Sequence, residues 1–330
     1  MGNSVFQGKS TRRTSAKFIG LRKVAMLRGK EIENFRHDPV MVREVMSVFG
    51  LKPGDTVVDA TLGLAGHSKI FAEAIKPGGT LLGIDWDADI LEEAKSRLSE
   101  SVGVTKHFVH SDYRQIARCI RELGLVPNGI LMDLGLNSAQ IDDPTRGIAF
   151  STEGPLDMRM DRSRGEPASA LLNRLSPHEI EKLLFDNADE RWAKAIGKKI
   201  VELRKEAPLR TTTDLVNAVL AAVPLGARDK RIHPATRTFQ AIRIAVNNEL
   251  EGIDEALVDA ANCLADKGTL IVLSYHSGED RQAKHAFKEL AATKEFEDLY
   301  RKPRQPESDE ISRNPRSRSA KLRAIRRVLT

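Results

Sequence analysis

The chain has 330 residues, of which 41% are hydrophobic, enough apolar material for a folded protein of about two domains. No apolar run approaches the ~18 residues of a membrane-spanning helix, which excludes a protein that crosses a membrane by helices. Two isolated cysteines, Cys119 and Cys263, exclude a disulfide framework and indicate a reducing compartment.

The charge is distributed unevenly along the chain. Residues 1–36 carry nine basic and two acidic side chains, and residues 301–330 carry ten basic and three acidic ones. Because the whole chain has a net charge of +6, the body between these ends has a net charge of −8. Two basic ends indicate a polyanionic partner, with solvated tails as the alternative. We expect residues 1–36 to form a flexible basic arm. The location that we expect is cytoplasmic, with an organellar one as the alternative because residues 1–30 contain no acidic side chain.

From residue 53 onward, short apolar strands alternate with amphipathic helices. Each apolar run ends in polar residues, and each helix repeats its apolar side chains at a spacing of three or four. This alternation is typical of an α/β fold with a parallel, doubly wound sheet. The predicted strands are 56–60, 80–84, 107–110, 129–132 and 268–274, and the helices between the first four of them are 68–75, 88–98 and 114–123.

The alternation stops after Asp133 and resumes only at residue 268, which indicates an inserted domain. Residues 139–232 form this insert, and helical patterns predominate in it. Ser176 begins a capping box with Pro at the first helical position, and Pro224 ends a helix that begins near residue 213. The apolar side chains at helical spacing in the helix between them are Trp192, Ile196, Ile200 and Leu203.

The insert divides the sheet domain into two segments, residues 37–138 and 233–330. The second segment ends in a predicted strand, 320–328, in which apolar and basic residues alternate, so that one face of this strand is basic.

Small and polar residues follow the first two predicted strands, and doubly wound sheets bind ligands at the carboxyl ends of their strands. The loop from Asp59 to His67 contains Gly63 and Gly66, which allow the backbone to approach a ligand and expose amides at a helix N-terminus. A tight packing turn is the alternative. Asp85 is placed to accept hydrogen bonds from ribose hydroxyls, or else it caps the next helix.

The third and fourth strand ends are also polar. Asp112 and Tyr113 offer an acceptor and a ring to an adenine, or else form a turn. With the first two strand ends they indicate an adenosine-containing cofactor. The fourth strand ends in Asp133, and the loop behind it holds Asn137 and Ser138, which brings a carboxylate, an amide and a hydroxyl close to the reactive end of such a cofactor.

These residues belong to a series of long motifs that resembles one family closely, the bacterial 16S ribosomal RNA cytosine N4-methyltransferases, RsmH, formerly called MraW. The resemblance covers nearly everything from residue 37 to the end of the chain. The motifs that carry it are His37-Asp-Pro-Val40, Gly63 to His67, Asp133-Leu-Gly-Leu-Asn-Ser-Ala-Gln140, Arg146-Gly-Ile-Ala-Phe150, Gly154-Pro-Leu-Asp-Met-Arg-Met-Asp161, His233-Pro-Ala-Thr-Arg-Thr-Phe-Gln240, Ser274-Tyr-His-Ser-Gly-Glu-Asp-Arg281 and Asn314-Pro-Arg316.

The resemblance implies a Rossmann-like class I methyltransferase sheet with an inserted, mostly helical domain for substrate recognition. The cofactor is then S-adenosylmethionine and the substrate a cytidine in the decoding region of small-subunit ribosomal RNA. The expected partner is 16S ribosomal RNA or the small ribosomal subunit and not a membrane, and a homodimer is left open. The expected cofactor-binding residues are Gly63, Ala65, Gly66, His67, Asp85, Tyr113, Asp133 and Gln140.

Two residues are expected to carry the chemistry, and no metal is expected. A cytosine amino nitrogen is a poor nucleophile because its lone pair is delocalised into the ring. Asp133, or the side-chain carbonyl of Asn137, could accept a hydrogen bond from this amino group and help to remove charge as the methyl group arrives. The alternative for Asp133 is to anchor the amino-acid part of the cofactor. The residues expected on the substrate side are Ser138, Arg237, His276 and Ser277.

Further arginines are candidates for phosphate contacts, with salt bridges inside the protein as the alternative. They are Arg146, Arg159, Arg162, Arg164 and Arg243.

The chain departs from the family pattern at three places. Ala65 stands where the family usually has Gly, Leu136-Asn137-Ser138 replaces Val-Ser-Ser, and Gly278 replaces Leu. An alanine at position 65 is tolerable only if its φ is not positive. We expect these departures to alter details of the site and to leave activity intact.

Three other functions are weighed against methylation of ribosomal RNA. A nicotinamide oxidoreductase would need the Gly-x-Gly-x-x-Gly fingerprint, which the loop after the first strand lacks. A DNA cytosine methyltransferase would carry a Pro-Pro-aromatic loop where this chain has Asp133-Leu-Gly. A catalytically silent ribosome-binding factor of the same fold remains the alternative.

Overall fold

The computed structural model describes residues 39–229 and 231–328. The predicted basic arm, residues 1–36, lies outside the described residues. Within the described part, no helix is both long enough and apolar enough to cross a bilayer.

A seven-stranded sheet forms the centre of the described fold, in the order β3-β2-β1-β4-β5-β7-β6. Strands β1 to β5 are parallel, and β7 lies antiparallel between β5 and β6. This arrangement confirms the α/β fold class and the Rossmann-like class I methyltransferase sheet. The strands are β1 Thr56–Asp59, β2 Thr80–Asp85, β3 Thr105–His110, β4 Gly129–Asp133, β5 Thr269–Ser274, β6 Phe296–Asp298 and β7 Lys321–Arg327.

Helices cover the sheet and build the insert. They are α1 Val42–Phe49, α2 Gly66–Ile75, α3 Ala88–Leu98, α4 Ile116–Glu122, α5 Ser138–Asp142, α6 Ala168–Arg174, α7 Pro177–Ala188, α8 Ala193–Leu203, α9 Thr212–Ala222, α10 Ala235–Asn247, α11 Ile253–Asn262, α12 Ser277–Ala292 and α13 Ser308–Arg313. Short 3-10 helices lie at Tyr113–Gln115, Pro144–Arg146, Leu225–Ala227 and Pro315–Ser319.

The apolar strands are buried on both faces because successive side chains point to opposite sides of a sheet. Val57 belongs to the hydrophobic cluster on one face and Val58 to the cluster on the other. Leu81 and Leu82 in β2 divide in the same way. This explains why the strands appear in the sequence as continuous apolar runs.

A third hydrophobic cluster forms the core of the insert, and it does not end where the predicted insert ends. Its buried residues run from Leu156 to Val223 and continue with Ala235, Phe239 and Ile242 of α10. α10 thus buries apolar side chains among the insert's helices, and the boundary at residue 232 stays a prediction.

The chain order places the crevice of the sheet between β1 and β4. The chain runs from β1 outward to β3 and then returns to β4 on the other side of β1. Connections after these two strands diverge, so their carboxyl ends, Asp59 and Asp133, flank an open crevice.

Candidate active site at the carboxyl ends of the strands

The end of β1 is a buried carboxylate. Asp59 is 2% exposed and accepts a hydrogen bond from the hydroxyl of Ser68 at 2.7 Å. Burial raises the pKa of Asp59, while the hydrogen bond from Ser68 opposes the rise. The geometry makes Asp59 a support for the start of α2.

The loop after β1 is held in shape by unusual backbone angles. Gly63 has a φ of +51°, and its amide donates to Oδ2 of Asp85 at 2.8 Å. Ala65, at the N-cap of α2, has a φ of +63°. The expectation that this alanine avoids positive φ is therefore wrong. The left-handed conformation costs an L-residue about 1–2 kcal/mol. The loop therefore keeps a backbone conformation suited to glycine, and Ala65 is strained in it.

His67 lies buried beneath the same loop, with a defined tautomer. Its Nε2 is 2.9 Å from the carbonyl oxygen of Val40, so Nε2 carries the proton and donates it. Burial lowers the pKa of His67, which favours the neutral ring. Nδ1 then has no proton, and it lies 3.7 Å from Oδ2 of Asp133. Gly66 packs closely under Pro39, where an added Cβ would lie 3.2 Å from the proline ring.

Asp85 ends β2 and already accepts two backbone hydrogen bonds. Oδ2 accepts from Gly63 and Oδ1 accepts from the amide of Asp87 at 2.9 Å. Burial raises the pKa of Asp85 to about 7. The alternative role as helix cap belongs to Asp87 instead, whose side chain accepts from the amides of Asp89 and Ile90. One lone pair on each oxygen of Asp85 is left for a ribose hydroxyl.

Asp87 is also the centre of a buried network that sequence reasoning missed. Arg146 is 6% exposed, and its Nη2 lies 2.6 Å from Oδ2 of Asp87. Its Nη1 donates to the carbonyl oxygen of Met160 in the insert. Arg146 is thus an internal ion-pair residue, which agrees with the salt-bridge alternative and not with a phosphate contact.

Gln140 belongs to the same network. Its Nε2 donates to Oδ2 of Asp87 at 3.0 Å, and the residue is only 3% exposed. Its Oε1 accepts from the amide of Asn137 at 3.4 Å. Both ends of the side chain therefore have partners within the protein, and a direct cofactor contact by Gln140 stays a prediction.

Asn137 is the N-cap of α5. Its Oδ1 accepts from the amide of Gln140 at 2.9 Å, in a reciprocal capping box. The carbonyl that was expected to face a substrate amino group thus has one of its two lone pairs engaged. Ser138 follows as the first residue of α5. The structure favours a capping role for Asn137 and leaves Asp133 as the stronger candidate acceptor.

Asp133 ends β4 and is hydrogen-bonded to the loops that follow β1 and β5. Its amide donates to Oγ1 of Thr61 at 2.7 Å, and its Oδ1 accepts from the hydroxyl of Tyr275 at 2.8 Å. Burial raises the pKa of Asp133 to about 7; the Tyr275 hydrogen bond lowers it and the charge of Glu279 raises it. Tyr275 was not among the predicted site residues, although it lies in the same motif as the predicted residues His276 and Ser277.

His276 caps α12 and has a neighbour at each ring nitrogen. Nδ1 accepts from the amide of Gly278 at 3.2 Å, and buried Nε2 lies 3.2 Å from Oε1 of Glu279 without hydrogen-bond geometry. Its substrate role stays a prediction: Nδ1 is engaged, whereas Nε2 has no hydrogen-bond partner among the described residues. Ser277 is exposed at the start of the helix. A Cβ at Gly278 would lie 3.0 Å from Leu250, so the family's leucine would require this neighbour to move.

Two glutamates come together beside His276. Glu249, His276 and Glu279 have ligand-type atoms within 4.8 Å of one another. Arg243 donates to both carboxylate oxygens of Glu249, at 2.8 and 2.7 Å. The guanidinium already supplies a cation to this cluster, which is an internal ion-pair network. For Arg243 the structure therefore favours the salt-bridge alternative over a phosphate contact.

An aromatic pair lies beyond the ends of β2 and β3. The rings of Trp86 and Tyr113 are 6.5 Å apart, and the guanidinium of Arg114 lies 5.9 Å from each centroid. Burial raises the pKa of Tyr113. Asp112 is occupied by Arg114, at 2.9–3.0 Å from its Nε. Tyr113 and the unpredicted Trp86 therefore offer the aromatic surface for an adenine, whereas Asp112 does not offer a free acceptor.

Arg237 is the predicted site residue that the structure does not bring to the strand ends. It is exposed on α10, and its Nη1 donates to the carbonyl oxygen of Asp189 at the end of α7. Its substrate role stays a prediction that concerns the insert. Arg159, which was also considered for phosphate contact, pairs instead with Asp157 through two hydrogen bonds.

Comparison with known proteins gives one coherent result. The family model described as "MraW methylase family" matches residues 34–328. The protein named ribosomal RNA small subunit methyltransferase H of Pelobacter propionicus is 42% identical over 311 residues, 89% of this chain and 99% of its own. The protein of the same name from Trichlorobacter lovleyi is 40% identical over 90% of this chain and 100% of its own.

Solved structures give weaker likenesses. An rRNA methylase from Streptococcus thermophilus has a TM-score of 0.39 at 12% identity, covering 87% of this chain and 95% of its own. Fibrillarin from Aeropyrum pernix, with bound S-adenosylmethionine, has a TM-score of 0.38 at 9% identity, covering 86% and 73%. The fold assignment therefore rests on the sheet order itself.

Proposed function

The chain belongs to the MraW methylase family, and from this premise we propose that it transfers a methyl group from S-adenosylmethionine to N4 of a cytidine in the decoding region of 16S ribosomal RNA. The family match covers nearly all of the described residues. The protein is an enzyme, a ribosomal RNA methyltransferase like the relatives that carry that name.

One observation carries the assignment of the cofactor site. Asp85 and Asp133 are carboxylates, one buried and one largely buried, at the ends of β2 and β4, the two strands that flank β1, and burial raises the pKa of each to about 7. Among the described residues, neither has a Lys or Arg in an ion pair with it. Buried carboxylates without a cationic partner are unfavourable in a ligand-free protein. A ligand with ribose hydroxyls and a cationic centre would relieve this, and S-adenosylmethionine has both.

The chain's own residues divide the work as follows. Asp85 accepts hydrogen bonds from the ribose, and Tyr113 with Trp86 packs against the adenine. Gly63 and Gly66 let the backbone approach. When bound, S-adenosylmethionine supplies a methyl group on a positively charged sulfur. These assignments are proposals that the geometry of the strand ends supports.

Asp133 acts on the amino group of the acceptor. Its carboxylate accepts a hydrogen bond from the N4 amino group and stabilises the positive charge that develops there as the N–C bond forms and the S–C bond breaks. The amino group then loses one proton to the Asp133 carboxylate, with S-adenosylhomocysteine as the second product. Neither cysteine serves as a nucleophile. Cys119, in α4, belongs to the hydrophobic core on one face of the sheet, and Cys263, at the end of α11, packs against the same core. Methyl transfer is therefore direct.

The substrate must present its cytosine outside a base stack, since Asp133 lies in the crevice at the strand ends, where a stacked base does not reach it. We assign the recognition of RNA to the helical insert, including α10, and to residues 1–36. Much of the basic C-terminal end is engaged inside the protein: Arg316 pairs with Asp142, and Lys321 and Arg323 pair with Asp280. We place the enzyme in the cytoplasm, where small subunits are assembled; a homodimer stays untested.

The test is transfer of labelled methyl groups to small ribosomal subunits from cells that lack the modification, followed by mapping of the label on the RNA. We expect label on a single cytidine with the wild type and none with Asp133→Ala. Equal, minimal incorporation by both proteins would favour the catalytically silent ribosome-binding factor. Calorimetry separates the oxidoreductase alternative, which requires NAD binding and no response to S-adenosylhomocysteine.

A further inference from the structure

Tyr275 is held in the loop between β5 and α12 by contacts along its whole length. Its amide donates to Oε2 of Glu279 at 2.8 Å, and its ring packs with the hydrophobic cluster on one face of the sheet. An added Cβ at Gly135 would lie 3.5 Å from the ring, so the β4 loop approaches it closely. The hydroxyl then reaches Oδ1 of Asp133 at 2.8 Å. This is a fixed donor.

The other side of the Asp133 carboxylate has no comparable donor. Nδ1 of His67 lies 3.7 Å from Oδ2, but the ring proton is on Nε2, which is committed to the carbonyl oxygen of Val40. Within the described part of the chain, the Tyr275 hydroxyl is the donor that the structure records for this carboxylate. Burial raises the pKa of Tyr275, so the hydroxyl keeps its proton and its role as donor.

The charged groups around Asp133 favour its protonated form. Asp59 at the end of β1 and Glu279 in α12 are carboxylates whose charges act on it, and His67 in α2 is neutral. The Tyr275 hydroxyl alone among these neighbours stabilises the ionised carboxylate by direct donation.

We propose that Tyr275 is a positioning residue for methyl transfer: its hydroxyl fixes Oδ1 of Asp133 and holds the side chain ionised, which leaves Oδ2 to accept the hydrogen bond from the substrate amino group. The proposal rests on the proposed function, because it assigns to Asp133 the contact with the acceptor. Its consequence is specific. Without the hydroxyl, Asp133 takes up its proton at a higher pH.

Tyr275→Phe removes this donor and little else. The dependence of methyl transfer on pH should then move: the acid limb of the kcat profile shifts upward by about one pH unit, since one hydrogen bond to the charged form is lost. At pH 9 the variant should approach the wild type. Tyr300→Phe is the matched control, because Tyr300 is also partly buried and packs under Arg304, away from Asp133.

The second measurement uses no RNA. Binding of the cationic S-adenosylmethionine is favoured by ionised Asp133, so its affinity, measured by calorimetry between pH 5.5 and 9, should show the same upward shift in Tyr275→Phe. A uniform loss of rate and affinity at all pH values, or curves that superimpose on those of the wild type, would overturn the positioning role. A wild type that binds the cofactor with this pH dependence but methylates no RNA would instead refute the proposed function alone.

Discussion

Arg146 and Asp87 form a buried ion pair, with Nη2 and Oδ2 2.6 Å apart, that joins the segment after α5 to the end of β2. Asp87 in turn donates its amide to Asp85, and Arg146 donates to Met160 in the insert. The carboxylate proposed to hold the cofactor ribose is therefore connected to the insert through two side chains. Loss of this ion pair should therefore affect both the cofactor site and the contact with the insert.

Arg146→Met tests this connection. It leaves the Asp87 carboxylate buried without its cation, and loss of one partner of a buried pair destabilises a protein by about 3–5 kcal/mol. We expect a drop of that size in the free energy of unfolding, measured by urea denaturation, and a weaker affinity for S-adenosylhomocysteine. Arg118→Met removes an exposed pair with Glu122 and should change neither quantity. Equal effects of the two substitutions would show that the buried pair has no special role.

Ala65→Gly tests the strain in the loop after β1. The φ of +63° is unfavourable for alanine but not for glycine. Part of the gain is offset by the greater freedom of glycine in the unfolded chain. We expect a net stabilisation of about 0.5–1 kcal/mol in thermal or urea unfolding. Ala72→Gly, in the interior of the same helix, is the control and should destabilise the protein. If both substitutions destabilise, the alanine at position 65 is not strained in solution.

Regular elements could be predicted from the sequence, whereas the backbone angles of loops could not. Periodicity was sufficient to predict α3, Ala88–Leu98, to the residue, because its apolar side chains recur on one face, whereas the capping residue is Asp87 and not Asp85. The alternation of apolar runs likewise predicted the parallel strands. It did not predict the backbone angle of Ala65, since φ depends on the path of the loop and not on the residue that occupies it.

Partners distant in the chain were also beyond prediction. Tyr275 and Asp133 are separated by 142 positions, and the ion pair of Arg146 with Asp87 spans the junction to the insert. Spacing identifies which side chains share a helix or a strand end, but not which of them pair across the fold. For the same reason Gln140 and Asn137 were expected to face ligands, whereas their capping box and the contact with Asp87 use these groups inside the protein.

Asp133→Asn should stabilise the ligand-free protein and abolish its activity. The pKa of Asp133 in the folded state is about 7, above the ordinary value near 3.8. The folded state therefore binds this proton more tightly than the unfolded state, so its contribution to stability is present at low pH and is lost as pH rises from about 4 to about 7. Asparagine carries no charge and avoids this loss, while its carbonyl can still accept from Tyr275.

The measurement is thermal unfolding of both proteins without cofactor at pH 5 and pH 8. The advantage of Asp133→Asn should already be present at pH 5 and should be larger at pH 8, by about 2–3 kcal/mol. Methyl transfer should be lost at both. Ser138→Ala, in the same loop, should show no such pH-dependent gain. An advantage that does not grow with pH would contradict the raised pKa.

Deletion of residues 1–30 tests the basic arm, which holds eight basic side chains and no acidic one. Neutralised phosphates release counterions, so each contact adds to the dependence of RNA affinity on salt. The paired cations of the C-terminal end are less able to contribute, because Arg316 already donates to both oxygens of Asp142. The deletion should therefore weaken binding to small-subunit RNA and flatten the plot of log affinity against log salt, while affinity for S-adenosylhomocysteine stays unchanged. Arg316→Gln, which removes a paired cation, should leave the salt slope as it is. A slope that survives the deletion would assign phosphate binding to the helical insert.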